Sequence, residues 1–273
     1  MTSMVKSGIL IICVTLLSFF GFRAAAQDVE LGVFGGGSYY LGELNPGKQF
    51  LFTNPAFGFA GRYNLDKRWS VKLNVIEGKL SGDDAISLAD SMRNLRFTST
   101  LTEISALIEF NFFDYFIGSQ RNYFTPYLFV GPGFFLFNPK APFDGEMVAL
   151  ANLRTENQTK KYNLFGLAAT FGFGFKYSIN SRIGLNLDWG MRKTYTDYID
   201  DISTNYYVDF DSSATPTTAE MLSDPSPIKH KPGMQRGNPE NNDWYAVAGL
   251  SIIYRFTIGE KSTCTDFEYS KNK

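Results

Sequence analysis

The sequence is poor in the residues that carry most enzymatic and metal chemistry. It holds one histidine, His230, and two cysteines, Cys13 and Cys264. A lone imidazole with no Cys/His cluster argues against a zinc centre. It also leaves a serine hydrolase only one base, in the segment 227–232, with Ser223 and Ser226 as its neighbours. Nothing in that loop fixes a relay, so a solvated histidine and no enzyme is the expectation. An excess of one charge is lacking too. With 26 Lys+Arg against 27 Asp+Glu the net charge is −1, which provides no basic field for nucleic acid. No apolar run after the first one is long enough for a spanning helix. Gly35-Gly36-Gly37 and Gly131-Pro132-Gly133 lead into no helix, so they do not read as phosphate cradles. No cofactor and no bound metal are expected.

What is there begins with an export leader over residues 1–26. Lys6 supplies the positive start, 8–22 is the apolar core, and Ala24-Ala25-Ala26 offers small residues for cleavage before Gln27. Cleavage removes Cys13, leaving Cys264 alone and without an internal disulfide partner. It also removes Lys6 and Arg23 but no acid, so the mature chain is slightly more acidic.

Beyond the leader, polar and apolar residues alternate. In 182–192, Ile183, Leu185, Leu187, Trp189 and Met191 share one side of an extended strand, and Gly184, Asn186, Asp188, Gly190 and Arg192 share the other. Seven further segments read similarly: about 29–41, 55–65, 69–78, 98–112, 125–137, 163–179 and 244–256. The fifth is apolar on both faces, Tyr127, Phe129, Phe135 and Phe137 on one and Leu128, Val130, Phe134 and Leu136 on the other. Pro132 inside it predicts a bulge or a local break. Connections alternate between short turns and long polar loops, the pattern of an outer-membrane barrel with both ends periplasmic. Aromatics, 16% of the chain, gather near strand ends: Trp69, Tyr127, Phe175 and Tyr254 on the turn side, and Phe57, Phe135, Phe137 and Trp189 on the loop side.

The predicted fold is therefore all-β, an eight-stranded antiparallel transmembrane outer-membrane β-barrel over 27–257, with a periplasmic tail over 258–273. So narrow a barrel is filled by its own side chains. The inward set pairs Arg62, Lys72, Lys176, Arg192 and Arg255 with Glu30, Glu103, Glu109 and Asp188. A cross-linked polar plug is expected, with inward glycines such as Gly58, Gly166, Gly172, Gly174, Gly184 and Gly190 making room for the long side chains. Asp197, Asp200, Asp201, Asp209 and Asp211 offer oxygen ligands without the spacing of a known calcium loop, so they read as a solvated acidic loop.

One signature goes further. Trp189-Gly190-Met191-Arg192-Lys193-Thr194-Tyr195-Thr196-Asp197-Tyr198-Ile199-Asp200-Asp201 resembles the PorG-like barrels of the Bacteroidota type IX secretion system and their wider family. So do Gly37-Ser38-Tyr39-Tyr40-Leu41-Gly42-Glu43-Leu44, Asn94-Leu95-Arg96-Phe97, Glu109-Phe110-Asn111-Phe112 and Pro126-Tyr127-Leu128-Phe129. Phe137-Asn138-Pro139-Lys140-Ala141, Gln235-Arg236-Gly237-Asn238, Asn242-Asp243-Trp244-Tyr245 and Tyr254-Arg255-Phe256 complete the set. In the tail, Cys264-Thr265-Asp266-Phe267 is similar to a family ending with Cys, Pro and Phe, with threonine in the proline place.

The resemblance implies a non-enzymatic outer-membrane component that anchors a periplasmic ring built from proteins resembling PorK and PorN. The docking candidates it implies are Tyr115 and Arg121 in the 113–123 turn and Cys264 and Phe267 in the tail. The alternative is a surface-binding or adhesion barrel acting through its long loops. Membrane lipid is the partner in either case. The mature chain should accordingly need detergent or lipid to stay folded, and a monodisperse, folded species in plain buffer would overturn the barrel reading.

Overall fold

The computed structural model describes residues 27–90, 92–208 and 215–258. The expected leader, Asp209, Asp211 and the tail with Cys264 and Phe267 lie outside the described residues. Residues 28–256 form one unit.

The strands are β1 (Gln27–Leu41), β2 (Asn54–Asn64), β3 (Trp69–Asp83), β4 (Arg96–Asn111), β5 (Phe124–Phe143), β6 (Glu146–Ala149), β7 (Phe165–Ser178), β8 (Ile183–Thr194) and β9 (Trp244–Ile258). Sequential antiparallel pairing runs from β4 back to β1, then through β9, β8 and β7 to β5, and β4 pairs with β5 to close the ring. Eight strands thus make the barrel, as the alternation predicted. β6 is an addition that turns back on the end of β5, with Phe143 opposite Glu146. Among the described residues three short helices sit in the loops: α1 (Asp84–Ser87), α2 (Leu150–Leu153) and α3 (Thr218–Ser223).

The two tight turns use the same device. Asp66 Oδ1 accepts from the Arg68 and Trp69 amides at 2.6 and 2.8 Å, and Asn180 Oδ1 accepts from Arg182 and Ile183, both at 2.9 Å. A short acceptor side chain that satisfies its own backbone two and three residues on is what makes Asp and Asn turn residues.

The outer face is apolar along every strand. Leu31, Val33, Phe59, Leu73, Ile104, Val130, Leu167, Phe173, Leu187 and Ile252 are all exposed on it. Aromatic rings pack together near the turns, Trp69 with Phe110 across β3 and β4 at 4.8 Å and Tyr254 with Phe256 along β9 at 4.7 Å. A closed ring leaves no unpaired edge, and an apolar exterior with aromatic rims is the surface a bilayer solvates.

Two expectations need correction. First, Tyr127, Phe135 and Phe137 do not belong to the interface rims. They are buried inside the barrel with Phe129, while Leu128, Val130, Phe134 and Leu136 face out. A segment apolar on both faces has no alternation to show which side is in; its register against β4 and β7 decides. Second, the inward glycines chiefly make room for these rings. A Cβ on Gly166 would lie 2.4 Å from Phe135, on Gly172 2.5 Å from Phe129 and on Gly174 2.7 Å from Tyr127. At Pro132 the expected interruption takes the form of a local break without a bulge. The β4–β5 ladder skips the rungs at Gly131 and Pro132, a local break, yet Ser105↔Gly133 and Ile108↔Val130 keep one register, and β7 pairs through the site without interruption. Tyr39 is covered at the loop end: its hydroxyl donates to Gln49 at 2.7 Å, and Phe50 packs on its ring at 5.0 Å.

The glycine positions give a test. In Gly172→Ala the new methyl would meet the Trp189 carbonyl oxygen at 2.3 Å, whereas at Gly35 nothing lies within 4 Å. Denaturant unfolding in lipid vesicles should show Gly172→Ala less stable by about 1–3 kcal/mol and Gly35→Ala near wild type.

Candidate functional site

Alternation in β1, β2, β3, β4, β7 and β8 aims a set of charged side chains at the barrel axis. Arg62 binds Glu30 at 2.6 Å and Glu109 at 2.7 Å. Lys176 binds Glu109 at 2.6 Å and the Asn111 oxygen at 2.8 Å, and Lys72 lies 3.7 Å from Glu109 and 2.7 Å from Asp188. Asn64 donates to Glu30 at 2.8 Å, and the Tyr127 hydroxyl donates to Asp188. Arg62, Lys72 and Lys176 thus balance Glu30, Glu109 and Asp188. A separate pair lies nearer the loops, where Arg192 binds Glu103 at 2.9 Å and the Tyr245 hydroxyl donates to the same carboxylate at 2.9 Å.

Eight of the nine residues expected in the lumen network are therefore in it, divided into two neutral groups. Arg255 is the exception: it sits at the turn-end rim and donates to the Ile117 carbonyl. Sequence reasoning missed the phenols. Tyr127 and Tyr245 complete the acids' shells, and the Lys176 ammonium lies 4.4 Å from the Tyr127 ring centroid. A phenol in an aromatic run gives no sign that its hydroxyl is the useful part.

The lumen holds a cavity of about 20 Å³ between Lys72, Asp188, Phe129 and Arg192, room for little more than one water. Its turn end is stopped by the 112–123 turn. Tyr115 and Ile117 tuck inward against Ile253, and the Gly118 amide donates to Ser178 at 2.8 Å. Tyr115, expected to meet a partner, is only 5% exposed and serves as the stopper. Arg121 in the same turn is exposed.

The long loops form a cap over the other end instead of a polar fringe. Leu44, Leu95, Leu150, Ile199, Ile202 and Leu222 share one apolar cluster with Phe135, Phe137 and Tyr245 of the lumen, so the core runs from barrel to cap. Two buried arginines tie the loops together. Arg93 binds Asp84 at 2.8 Å and donates to the carbonyls of Arg236 and Glu43 at 2.9 and 3.2 Å. Arg236 binds Glu156 at 2.9 Å and donates to the Ser223 carbonyl at 3.1 Å. α3 carries a capping box between Thr217 and Glu220.

The loop acids are not solvated either. Asp197, Asp200 and Asp201 are buried in the cap, as is Asp243. Tyr162 and Thr155 donate to Asp201. The Tyr40 hydroxyl lies 2.6 Å from Asp200 and 2.7 Å from Asp243, so its one proton serves two carboxylates. Burial, with Glu43 beside it, pushes the Asp197 carboxyl up to about 8. Asp200 and Asp243 are also raised well above the usual range, by burial first and by neighbouring carboxylates second.

His230 is not a free loop histidine. It stacks on Tyr206 at 4.2 Å, with Nδ1 3.2 Å from Asp224 and 3.3 Å from Ser226. Ser226 donates its own proton to Asp224. Both partners meet the same ring nitrogen, so the imidazole does not stand between acid and serine as a relay requires.

The stretches that carry the family resemblance meet in space. Tyr40, Glu43, Phe97, Phe137, Asp197, Arg236 and Asp243 all contribute to the cap or to the lumen directly beneath it.

A closed eight-stranded ring with a lipid-facing exterior and a filled lumen defines a plugged outer-membrane β-barrel. Within that class, the chain belongs to the family described as "Domain of unknown function (DUF6089)", whose model matches residues 7–208. No curated protein matches the sequence. Among solved structures it is similar to the outer membrane protein OprG from Pseudomonas aeruginosa, at 12% identity and a TM-score of 0.44, covering 85% of this chain and 97% of that one. It is also similar to Ail, the attachment invasion locus protein of Yersinia pestis, at 10% identity and a TM-score of 0.42, over 85% and 100%. Neisserial surface protein A follows at 9% and 0.39, over 85% and 98%. Identities this low carry nothing about function.

Glu109 is the acid on which three lumen cations converge. Glu109→Gln leaves buried positive charge uncompensated and should destabilise the barrel by about 3–5 kcal/mol in denaturant unfolding.

Proposed function

We propose that this barrel is a non-enzymatic outer-membrane anchor that holds a periplasmic assembly to the membrane, in the manner of the type IX secretion barrels its sequence resembles. One observation carries the reading: the lumen is blocked at both ends and cross-linked between them. A cavity of about 20 Å³ passes neither a folded cargo nor a small solute, so the work falls to surfaces outside the lumen. With both chain ends periplasmic, the surface nearest a ring of proteins resembling PorK and PorN is the turn end. There Arg121 is exposed while Tyr115 is withdrawn to hold the turn in shape. The tail with Cys264 and Phe267 belongs to the same side in this reading. A second reading, surface binding through the loop end, draws on the folded cap: a rigid loop surface loses less conformational freedom on contact than a mobile one.

Affinity purification of the tagged barrel from mild detergent separates the two. Recovery of a periplasmic ring protein with a lipoprotein, reduced in Arg121→Glu and in a chain ending at residue 258, supports the anchor. A barrel recovered alone from secreting cells overturns it. Secretion lost on trimming 215–235, with ring recovery intact, favours the loop end.

A further inference from the structure

Glu43, Asp197 and Asp243 stand together where the first and last long loops meet on the cap. One carboxylate oxygen from each lies within 4.8 Å of the others, a spread that oxygens sharing one ion at about 2.3–2.6 Å would have. A cluster of acids alone would mean little, since carboxylates often crowd at a wet surface. This one is not wet. Asp197 is 7% exposed, and neither of its oxygens makes a hydrogen bond; the Ser203 hydroxyl beside it falls outside bonding geometry. Glu43 Oε2 is likewise buried without a partner, while Oε1 accepts from the Asn238 amide at 3.2 Å. Asp243 is oriented by Tyr40 through Oδ1, at 2.7 Å, and by the Ile199 amide through Oδ2, at 2.9 Å.

Among the described residues none of the three acids forms an ion pair, and Lys193, along the nearby crevice, lies over the Trp244 ring at 5.6 Å. Among the described residues the buried cations of the cap are Arg93 and Arg236, committed to Asp84 at 2.8 Å and to Glu156 at 2.9 Å. Leaving carboxylates buried and unpaired is costly, and here several share one small volume. One edge of the site meets open space. Glu43 lines an open crevice of about 610 Å³ between Pro46, Lys193, Asn241 and Trp244.

We propose that Glu43, Asp197 and Asp243 bind a divalent cation, calcium by their chemistry, and that the ion fastens the first long loop to the last. The donors are all hard oxygens, with neither nitrogen nor sulfur, which suits calcium over zinc or copper. Three carboxylates with water completing the shell put the affinity in the weak range of extracellular modules, about 10⁻⁴–10⁻³ M. The proposal does not depend on the anchoring role. It concerns the rigidity of the cap, whatever the cap contacts.

The test uses the full mature chain in lipopolysaccharide-free detergent micelles after chelator treatment. Terbium is the probe, because Tyr40 is bonded to Asp243 and can sensitise its emission. The expected result is saturable terbium emission that calcium displaces, together with a calcium-dependent rise in Tm of about 2–4 °C. Asp197→Asn should abolish both responses. It should also leave the chelated protein at least as stable as wild type, because an amide of the same shape replaces a buried carboxyl group that has no partner. Glu43→Gln, at the half-buried edge, should weaken terbium binding at least tenfold and serves as the second variant if Asp197→Asn folds poorly. Wild-type emission no greater than that of the variants, or an equal calcium effect on the Tm of Asp197→Asn, overturns the site and leaves the acids sharing protons.

Discussion

A peptide backbone in hydrocarbon has no hydrogen-bonding partner but itself. The pairing of β4 with β5 is the contact that meets this demand, because it turns an open sheet with two bare edges into a ring with none. Everything else follows from closure at this size. A ring of eight strands encloses a space too small for a channel and too large to leave empty. The sequence fills it with charge, with phenol and with phenylalanine, and the remaining arrangement depends on how those three share it.

The charges survive inside because each group is neutral in sum and each acid has more than one donor. Glu109 illustrates the principle, with Arg62 and Lys176 in direct contact and Lys72 close by. Such a cluster is weak evidence for stability in itself, but removing one member strands the others, so it acts as a specific lock on strand register. Most of the aromatic filling comes from one strand. β5 turns Tyr127, Phe129, Phe135 and Phe137 inward, and facing strands answer with Gly166, Gly172, Gly174 and Gly190. Ring against glycine is a shape match that leaves the backbone of the neighbouring strand close to the ring.

The cap inverts the balance of the lumen. Arginine there is scarce and already engaged, while carboxylates accumulate around Tyr40. The barrel interior is thus neutral and the cap is rich in acids, and the two are joined by one apolar cluster. Loops that would otherwise fray are held by Arg93 and Arg236, each of which spans more than one loop.

Alternation made the strands of this protein legible, since a period of two with an apolar face needs no knowledge of neighbours. The charged lumen set followed from the same period, and eight of its nine members stand where it placed them. Loop-length parity set the two ends apart for a similar reason, being a property of the chain in order. What the sequence alone left open were the groups whose role depends on what lies opposite. β5 is apolar on both faces, so only its pairing with β4 and β7 turned Phe135 inward. Tyr115 in a turn looks exposed until the barrel mouth is there to receive it. Asp197 and Glu43 are far apart in the chain, and a polar loop carries no period to show that they will meet. Local pattern reports a residue's own side of a strand; burial of a loop and the company of its acids are decided by contacts across the chain, which only the closed barrel brings together.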